Sequence, residues 1–133
     1  MGVAEQWQER LAAMLSDLDV TLLNPRRDNW DPSWEQSIDN PQFNEQVTWE
    51  LDGLDSAHIV VFYFDPATKS PVTLLELGYV SSKSCAIVVC CPDGFWRKGN
   101  VDILCARKGI TVVSTLEDVA KETKNLVDIV KWR

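Results

Sequence analysis

The chain has little of what metal-binding, membrane-spanning or nucleic-acid-binding proteins need. Its single histidine, His58, and four cysteines without a Cys-x-x-Cys pair argue against a zinc site and favour reduced thiols in a cytoplasmic protein. A formal net charge of −7 argues against binding to nucleic-acid polymers. No apolar run approaches the ~20 residues of a membrane span, and no basic-then-apolar leader is present. Nothing in the sequence implies a metal or an organic cofactor.

Strand-like and helix-like patterns alternate along the 133 residues. Continuous apolar runs are typical of parallel strands covered on both faces, and the segments between them show helical spacing. This alternation predicts one α/β domain over residues 1–133, with a doubly wound, flavodoxin- or Rossmann-like parallel sheet of four strands. The predicted strands are 19–23, 58–64, 85–91 and 110–113, and the predicted helices are 3–18, 43–54, 70–78, 101–107 and 115–130.

The stretch from Ser70 to Gly78 is the strongest candidate for a functional segment. Ser70 is expected to cap a helix with its hydroxyl, and Pro71 suits the first helical position because it has no N–H. Glu76 then falls among leucines in the second turn, where burying a carboxylate is costly unless it is paired or used. A surface Glu on an amphipathic helix remains the alternative. The position after an apolar strand favours function, because open α/β sheets bind ligands there.

A long irregular loop is predicted over residues 28–42, which hold two prolines and two tryptophans. Trp30 or Trp34 would stack on a ligand ring, and Asp28 would hydrogen-bond its edge. The alternative is that both tryptophans close the domain or a subunit interface, where Phe95 and Trp96 are further candidates.

Several segments together resemble the nucleoside 2-deoxyribosyltransferase superfamily, which includes the related 2′-deoxynucleoside 5′-phosphate N-hydrolases. The resemblance covers essentially the whole chain and implies cleavage or transfer at an N-glycosidic bond. The segments that carry it are Asn24-Pro25-Arg26-Arg27, Phe43 to Leu51, Ala57 to Phe62, Ser70-Pro71 and Leu75-Glu76-Leu77-Gly78.

The resemblance implies specific roles for residues of this chain. Glu76 matches the nucleophile that attacks the anomeric carbon, and Glu50 matches an acid that positions or protonates the substrate. Ser70 would contact the sugar 5′ end, and serine at this place in the phosphate-specific hydrolases favours a phosphorylated substrate. The other expected substrate-binding residues are Asn24, Arg26, Arg27, Asp28, Trp30, Gly78 and Asn100, the last reaching into a neighbouring subunit's pocket.

The chain departs from the family pattern at three places. The family's first strand and the Gly-rich turn after it have no counterpart, His58 stands where the family has Asp, and Glu50 also replaces an Asp. Without that first strand, strand 19–23 would pair with strand 58–64, accept a strand from another chain or leave an exposed edge. We therefore expect a homodimer or a higher homo-oligomer.

Two kinds of function follow from these observations. The first is an enzyme that acts on a (deoxy)nucleoside or its 5′-monophosphate through a covalent glycosyl–Glu76 intermediate. The alternative is a catalytically impaired nucleotide-binding module of the same fold, and a purely structural role for the acids is the third interpretation.

Overall fold

The apolar run that follows His58 forms the first strand of a parallel sheet. The structure, a computed structural model, describes residues 6–24 and 32–131. Its strands are β1 (Ile59–Tyr63), β2 (Ala86–Cys90) and β3 (Thr111–Val113), in the order β1-β2-β3. Val61 pairs with Val88 and Tyr63 with Cys90. Valine, isoleucine and aromatic residues dominate these strands because they pack well on a pleated surface.

Helices cover both faces of this sheet: α3 (Pro71–Val80) and α4 (Lys98–Lys108) lie on one face, and α1 (Trp7–Met14) and α5 (Leu116–Lys131) on the other. The remaining helix of the described residues is α2 (Pro41–Ser56). Right-handed crossovers, which parallel strands almost always use, place α3 and α4 on the same face. On the other face α1 and α5 pack in one core cluster, whose buried members are Leu11, Leu15, Val88, Cys90, Val119 and Ala120.

The chain divides into two compact units. The larger takes in the described residues of Met1–Val20 and His58–Arg133, and contains the whole sheet. The smaller, Thr21–Ala57, is built on α2, which begins where the Asn40 side chain accepts a hydrogen bond from the Phe43 N–H at 3.0 Å. Residues 32–40, part of the predicted irregular loop, form turns and bends.

The prediction of a fourth strand at 19–23 is wrong: within the described ranges the sheet has three strands. Val20, Leu22 and Leu23 are 38%, 50% and 54% exposed, whereas a parallel strand is buried on both faces. Leu23 lies instead beside α2. Its Cδ1 is 3.8 Å from the position that a Cβ would occupy at Gly53. The expected pairing of this segment with strand 58–64 is therefore wrong, and the expected homo-oligomer stays a prediction.

Other local predictions are confirmed. Thr115, at the start of the predicted helix 115–130, caps α5: its Oγ1 accepts a hydrogen bond from the Asp118 N–H at 3.1 Å. Gly109 ends α4 in the left-handed region, at φ 68°, where glycine carries no steric penalty. The first helix is shorter than predicted and begins at Trp7 among the described residues. In the part of the chain that the structure describes, no helix is both long and apolar enough to cross a membrane.

Candidate active site at the carboxyl edge of the sheet

Two loops leave the carboxyl ends of β1 and β2 and interlock. Phe64 and Phe95 are buried and their ring centroids lie 4.9 Å apart. The indole Nε1 of Trp96 donates to the backbone carbonyl of Lys69 at 2.8 Å. The loops 64–70 and 91–97 therefore form one layer at the edge where open α/β sheets bind ligands.

Gly94 makes the tight turn in the second of these loops. Its φ of 96° lies in a region that residues with a Cβ rarely adopt. A Cβ at this position would also stand 3.7 Å from the Cβ of Pro66, in the first loop. That distance is an ordinary van der Waals contact, so the positive φ, and not the approach of the two loops, favours glycine here.

Ser70 ends the first loop in an unusual backbone conformation. Its φ of 48° and ψ of 51° are left-handed, and among the described residues no other non-glycine has a positive φ. Such a conformation costs about 1–3 kcal/mol and occurs most often at functional sites. A residue before proline normally adopts an extended conformation, so the sequence gives no signal for this turn.

The prediction that the Ser70 side chain caps α3 is wrong, although Ser70 does occupy the position immediately before the helix. No hydrogen bond joins its side chain to the first turn of the helix. The Ser70 Oγ lies instead 2.6 Å from the Oγ1 of Thr68. Thr68 is 8% exposed and donates its hydroxyl to the backbone carbonyl of Asp65 at 3.0 Å. The left-handed backbone of Ser70 thus joins its hydroxyl to the loop rather than to the helix.

Glu76 lies in the second turn of α3, at the border between the buried and exposed faces of the helix. Leu77 is 1% exposed, whereas Leu75 is 72% exposed. Glu76 itself is half-buried. The Cα–Cβ bonds of a helix tilt toward its N-terminus, so that of Glu76 tilts toward the end of α3 that follows Ser70. Ser70 precedes Glu76 by about 9 Å along the helix axis, at a rise of about 1.5 Å per residue.

Two further residues that were predicted to bind substrate, Gly78 and Asn100, belong to the larger unit and are exposed. Gly78 lies on α3, and a Cβ there would meet nothing within 4 Å, so no close approach requires glycine at this position. Asn100 belongs to the first turn of α4 and does not precede the helix, as the predicted range 101–107 implied, because the helix begins at Lys98.

The smaller unit contains the second predicted carboxylate. Glu50 lies on α2, half-buried, and its Oε1 accepts a hydrogen bond from Nε2 of the buried Gln46 at 3.3 Å. Burial raises the pKa of the Glu50 carboxyl, and the hydrogen bond from Gln46 partly opposes this shift. Asn24 is exposed at the end of the first described range. Arg26, Arg27, Asp28 and Trp30 lie outside the described residues.

Sequence reasoning missed the cluster that Lys69 and Arg97 form with Trp96, next to Ser70 in the chain. The Lys69 Nζ lies 4.3 Å, and the Arg97 guanidinium carbon 4.4 Å, from the centroid of the Trp96 ring. Such contacts between a cation and an aromatic face are attractive. Neighbouring cationic and aromatic residues at 96–98 were the available signal, but nothing in the sequence brings residue 96 to residue 69. Across residues 6–24 and 32–131, no three His, Cys, Asp or Glu side chains are grouped to hold a metal ion.

Comparison with known proteins places these residues in a family. No curated protein sequence matches the chain significantly. Residues 1–95 match the family described as nucleoside 2-deoxyribosyltransferase like, and this range includes Glu50, Ser70 and Glu76 but ends before Asn100. Because the match covers more than half of the 133 residues, the chain belongs to the nucleoside 2-deoxyribosyltransferase-like family.

Proposed function

We propose that this chain cleaves or transfers the N-glycosidic bond of a (deoxy)nucleoside or its 5′-monophosphate, with Glu76 as the nucleophile. The observation that carries the proposal is the position of Glu76. It is half-buried on α3, one and a half turns after the strained Ser70, on the helix that follows the carboxyl end of β1. Membership of the nucleoside 2-deoxyribosyltransferase-like family supports the choice of substrate.

The proposed reaction has two steps. In the first, a Glu76 carboxylate oxygen forms a bond to the anomeric carbon while the bond from that carbon to the base nitrogen breaks. The departing base keeps the electron pair and takes a proton. In the second step, water or another base attacks the anomeric carbon, gives its proton to the acid that was deprotonated in the first step, and releases Glu76 as a carboxylate. Two displacements of this kind are the logic of retaining glycosidases.

Glu50 is the acid of this proposal, as the resemblance implies. A general acid must hold its proton near the working pH, and burial shifts the pKa of Glu50 in that direction. Its half-buried place on α2 supports this role, and Gln46 orients the carboxyl group. Glu76 needs the opposite protonation state, since only the carboxylate is nucleophilic.

The test is the release of free base. The protein is incubated with a panel of nucleosides and 5′-monophosphates, with and without a second base, and the products are separated by chromatography. Glu76→Gln keeps the size of the side chain but removes the nucleophile, and it should lower the rate by at least about a thousandfold, since covalent catalysis supplies most of the acceleration in such enzymes.

The matched control is Glu9→Gln, on the exposed side of α1, which packs with α5 on the opposite face of the sheet. This variant should release base at the wild-type rate. Absence of base release by the wild type with every substrate contradicts the proposed enzyme. Binding of nucleotides without any release would then favour the binding module.

A further inference from the structure

We propose that the outer edge of β1 pairs with β1 of a second copy of this chain, antiparallel and centred on Val61. Two three-stranded sheets then become one sheet of six strands. The outer edge is the side of β1 that faces away from β2, since β1 is an end strand in the order β1-β2-β3. The proposal gives the expected homo-oligomer an interface, and it does not rest on the proposed function.

The backbone groups of β1 point alternately toward β2 and away from it. The His58 carbonyl accepts from the Ala86 N–H at 3.1 Å, and the Phe64 N–H donates to the Cys90 carbonyl at 2.9 Å. In a strand the N–H and C=O of one residue point to the same side, and those of the next residue point to the other. The even-numbered residues of β1 therefore bond to β2, and the odd-numbered ones face the outer edge. These outward-facing residues are Ile59, Val61 and Tyr63.

The outward groups have no partner in the part of the chain that the structure describes. No hydrogen bond reaches the backbone N–H or C=O of Ile59, Val61 or Tyr63. All three residues are half-buried rather than exposed. A backbone group that is withdrawn from water without a partner costs free energy, which pairing recovers. A further strand is the element that satisfies all of these groups at once.

The sequence of β1 lacks the features that keep an edge strand from pairing. Its five residues, IVVFY, include no charge, proline or glycine. Edge strands of natural proteins are usually very short, or carry lysine, proline or a bulge. The strand β3 at the other end of the sheet is short, with three residues. A further strand is therefore expected on β1 and not on β3.

Hydrogen bonds and charge favour a second copy as the occupant. Opposed residues of two antiparallel strands exchange N–H···O bonds in both directions, so an edge can be complementary to itself about a two-fold axis. With Val61 opposite Val61 of the second copy, Ile59 lies opposite Tyr63, and every outward group has a partner. Two chains of net charge −7 repel each other, but β1 brings no charge to this interface.

The register follows from the number of pairs. Moving the axis by one residue, to Val60 or Phe62, leaves two hydrogen-bonded pairs within β1 instead of three. The register at Val61 also sets Phe62 beside Val60, and Tyr63 beside Ile59, of the second copy. Aromatic and β-branched side chains form favourable cross-strand pairs. The side chains therefore favour the register that the backbone requires.

This arrangement keeps the two candidate sites apart. Antiparallel strands send their carboxyl ends in opposite directions, so the loops that follow β1 in the two copies lie at opposite edges of the sheet. Glu76 follows one of these loops, and Asn100 lies on α4, which follows β2 of the same copy. This interface therefore does not bring Asn100 to Glu76 of the second copy.

The first test measures mass and amide exchange on the wild type. Light scattering at micromolar concentration should give twice the 15.1 kDa of one chain. Amide exchange followed by NMR should show the outward N–H groups of β1 as protected as the inward ones of Val60 and Phe62. The control is the N–H of Val112 on the outer edge of β3. It points away from β2, because the next residue, Val113, accepts from the Cys91 N–H, and it should exchange quickly in the dimer.

Val61→Lys tests the register, and Val113→Lys is its matched control. Both valines are partly buried on an end strand and pack against the same core cluster, so the two substitutions should cost similar stability. Only Val61→Lys sets two positive charges opposite each other at the two-fold axis. It should raise the dissociation constant of the dimer at least about fivefold, the cost of a poor cross-strand pair, and Val113→Lys should leave it unchanged. The outward N–H groups of β1 should lose protection in proportion to the loss of dimer.

Three results overturn the proposal. The first is a monomeric wild type, including one whose outward N–H groups are protected, since a segment of the same chain would then cover the edge. The second is a dimer in which those groups exchange freely. The third is an equal effect of the two lysine substitutions on the dissociation constant. If Val61→Lys does not fold, the mass and the exchange pattern of the wild type decide alone.

Discussion

The indole N–H of Trp96 donates to the carbonyl oxygen of Lys69 at 2.8 Å, and the residue after Lys69 is the strained Ser70. This hydrogen bond joins the loop after β2 to the loop after β1 across 27 residues of sequence. A left-handed serine persists only where its surroundings hold it, and Trp96 is one of those surroundings. The geometry at the start of α3 thus depends on a side chain from the neighbouring loop.

Replacing Trp96 by phenylalanine should therefore weaken the link between the loops. Trp96→Phe keeps an aromatic face for Lys69 and Arg97 but removes the N–H donor, so the free energy of unfolding should fall by about 1 kcal/mol. Urea unfolding measures the change. Trp49→Phe is the control, because Trp49 is similarly exposed, 48% against 46%, and should change stability by less than about 0.5 kcal/mol. Equal effects of the two substitutions would contradict a specific role for the bond.

Two substitutions at Ser70 separate its backbone from its hydroxyl. Ser70→Gly and Ser70→Ala both remove the hydroxyl that contacts Thr68, but only glycine adopts a φ of 48° without a steric penalty. The glycine variant should be more stable than the alanine variant by about 1 kcal/mol, although glycine is the more flexible residue when unfolded. Thermal and urea unfolding give the difference. Equal stabilities of the alanine and glycine variants would show that the backbone at residue 70 is not strained.

The sequence predicted the elements whose residues carry their own signal. The strands β1 and β2 are apolar on both faces, and Pro71 marks the start of α3. The segment at 19–23 has the composition of a strand, but its pairing partners would have to come from elsewhere in the chain. Strand propensity describes how well a side chain fits a pleated surface, and Leu23 of this segment lies beside α2 instead.

The candidate site was predictable only in part. Glu76 and Ser70 are adjacent to a strand and a helix start that the sequence reveals, so their place at the carboxyl edge follows from local patterns. Thr68 gave no signal, because its contact with Ser70 depends on a turn conformation that a serine before proline rarely adopts. The contact between Trp96 and Lys69 is long-range and needs the sheet order, which no local pattern specifies.

Two neighbouring leucines on α3 test which face of the helix is buried, and hence where Glu76 lies. Leu77→Ala should lower the free energy of unfolding by about 2–5 kcal/mol, because Leu77 is 1% exposed and its loss leaves a cavity. Leu75→Ala should change it by less than about 0.5 kcal/mol, since Leu75 is 72% exposed. Denaturant unfolding of both variants measures the contrast. Similar losses for both would mean that the helix is rotated from the position described.

The raised pKa of Glu50 makes stability depend on pH with a definite sign. Burial raises the pKa, so the folded state binds this proton more tightly than the unfolded chain does. The free energy of unfolding therefore falls as the pH rises from the unfolded pKa through the folded one. Glu50→Gln should be more stabilising at pH 7 than at pH 4, measured by urea unfolding. Glu45→Gln, on the exposed side of the same helix, is the control, and a pH-independent effect of Glu50→Gln would contradict the argument.

The same carboxyl should set the basic limb of the pH–activity profile if Glu50 is the acid. Activity then falls as the pH rises through the pKa of Glu50 and its proton is lost. The Nε2 of Gln46 stabilises the ionised form, so Gln46→Met, which removes the donor at similar length, raises that pKa further and should move the limb to higher pH. Gln42→Met, at an exposed position of α2, should leave the limb unchanged. The pH dependence of kcat/KM measures both variants. A limb that Gln46→Met leaves in place would assign the proton to a group other than Glu50.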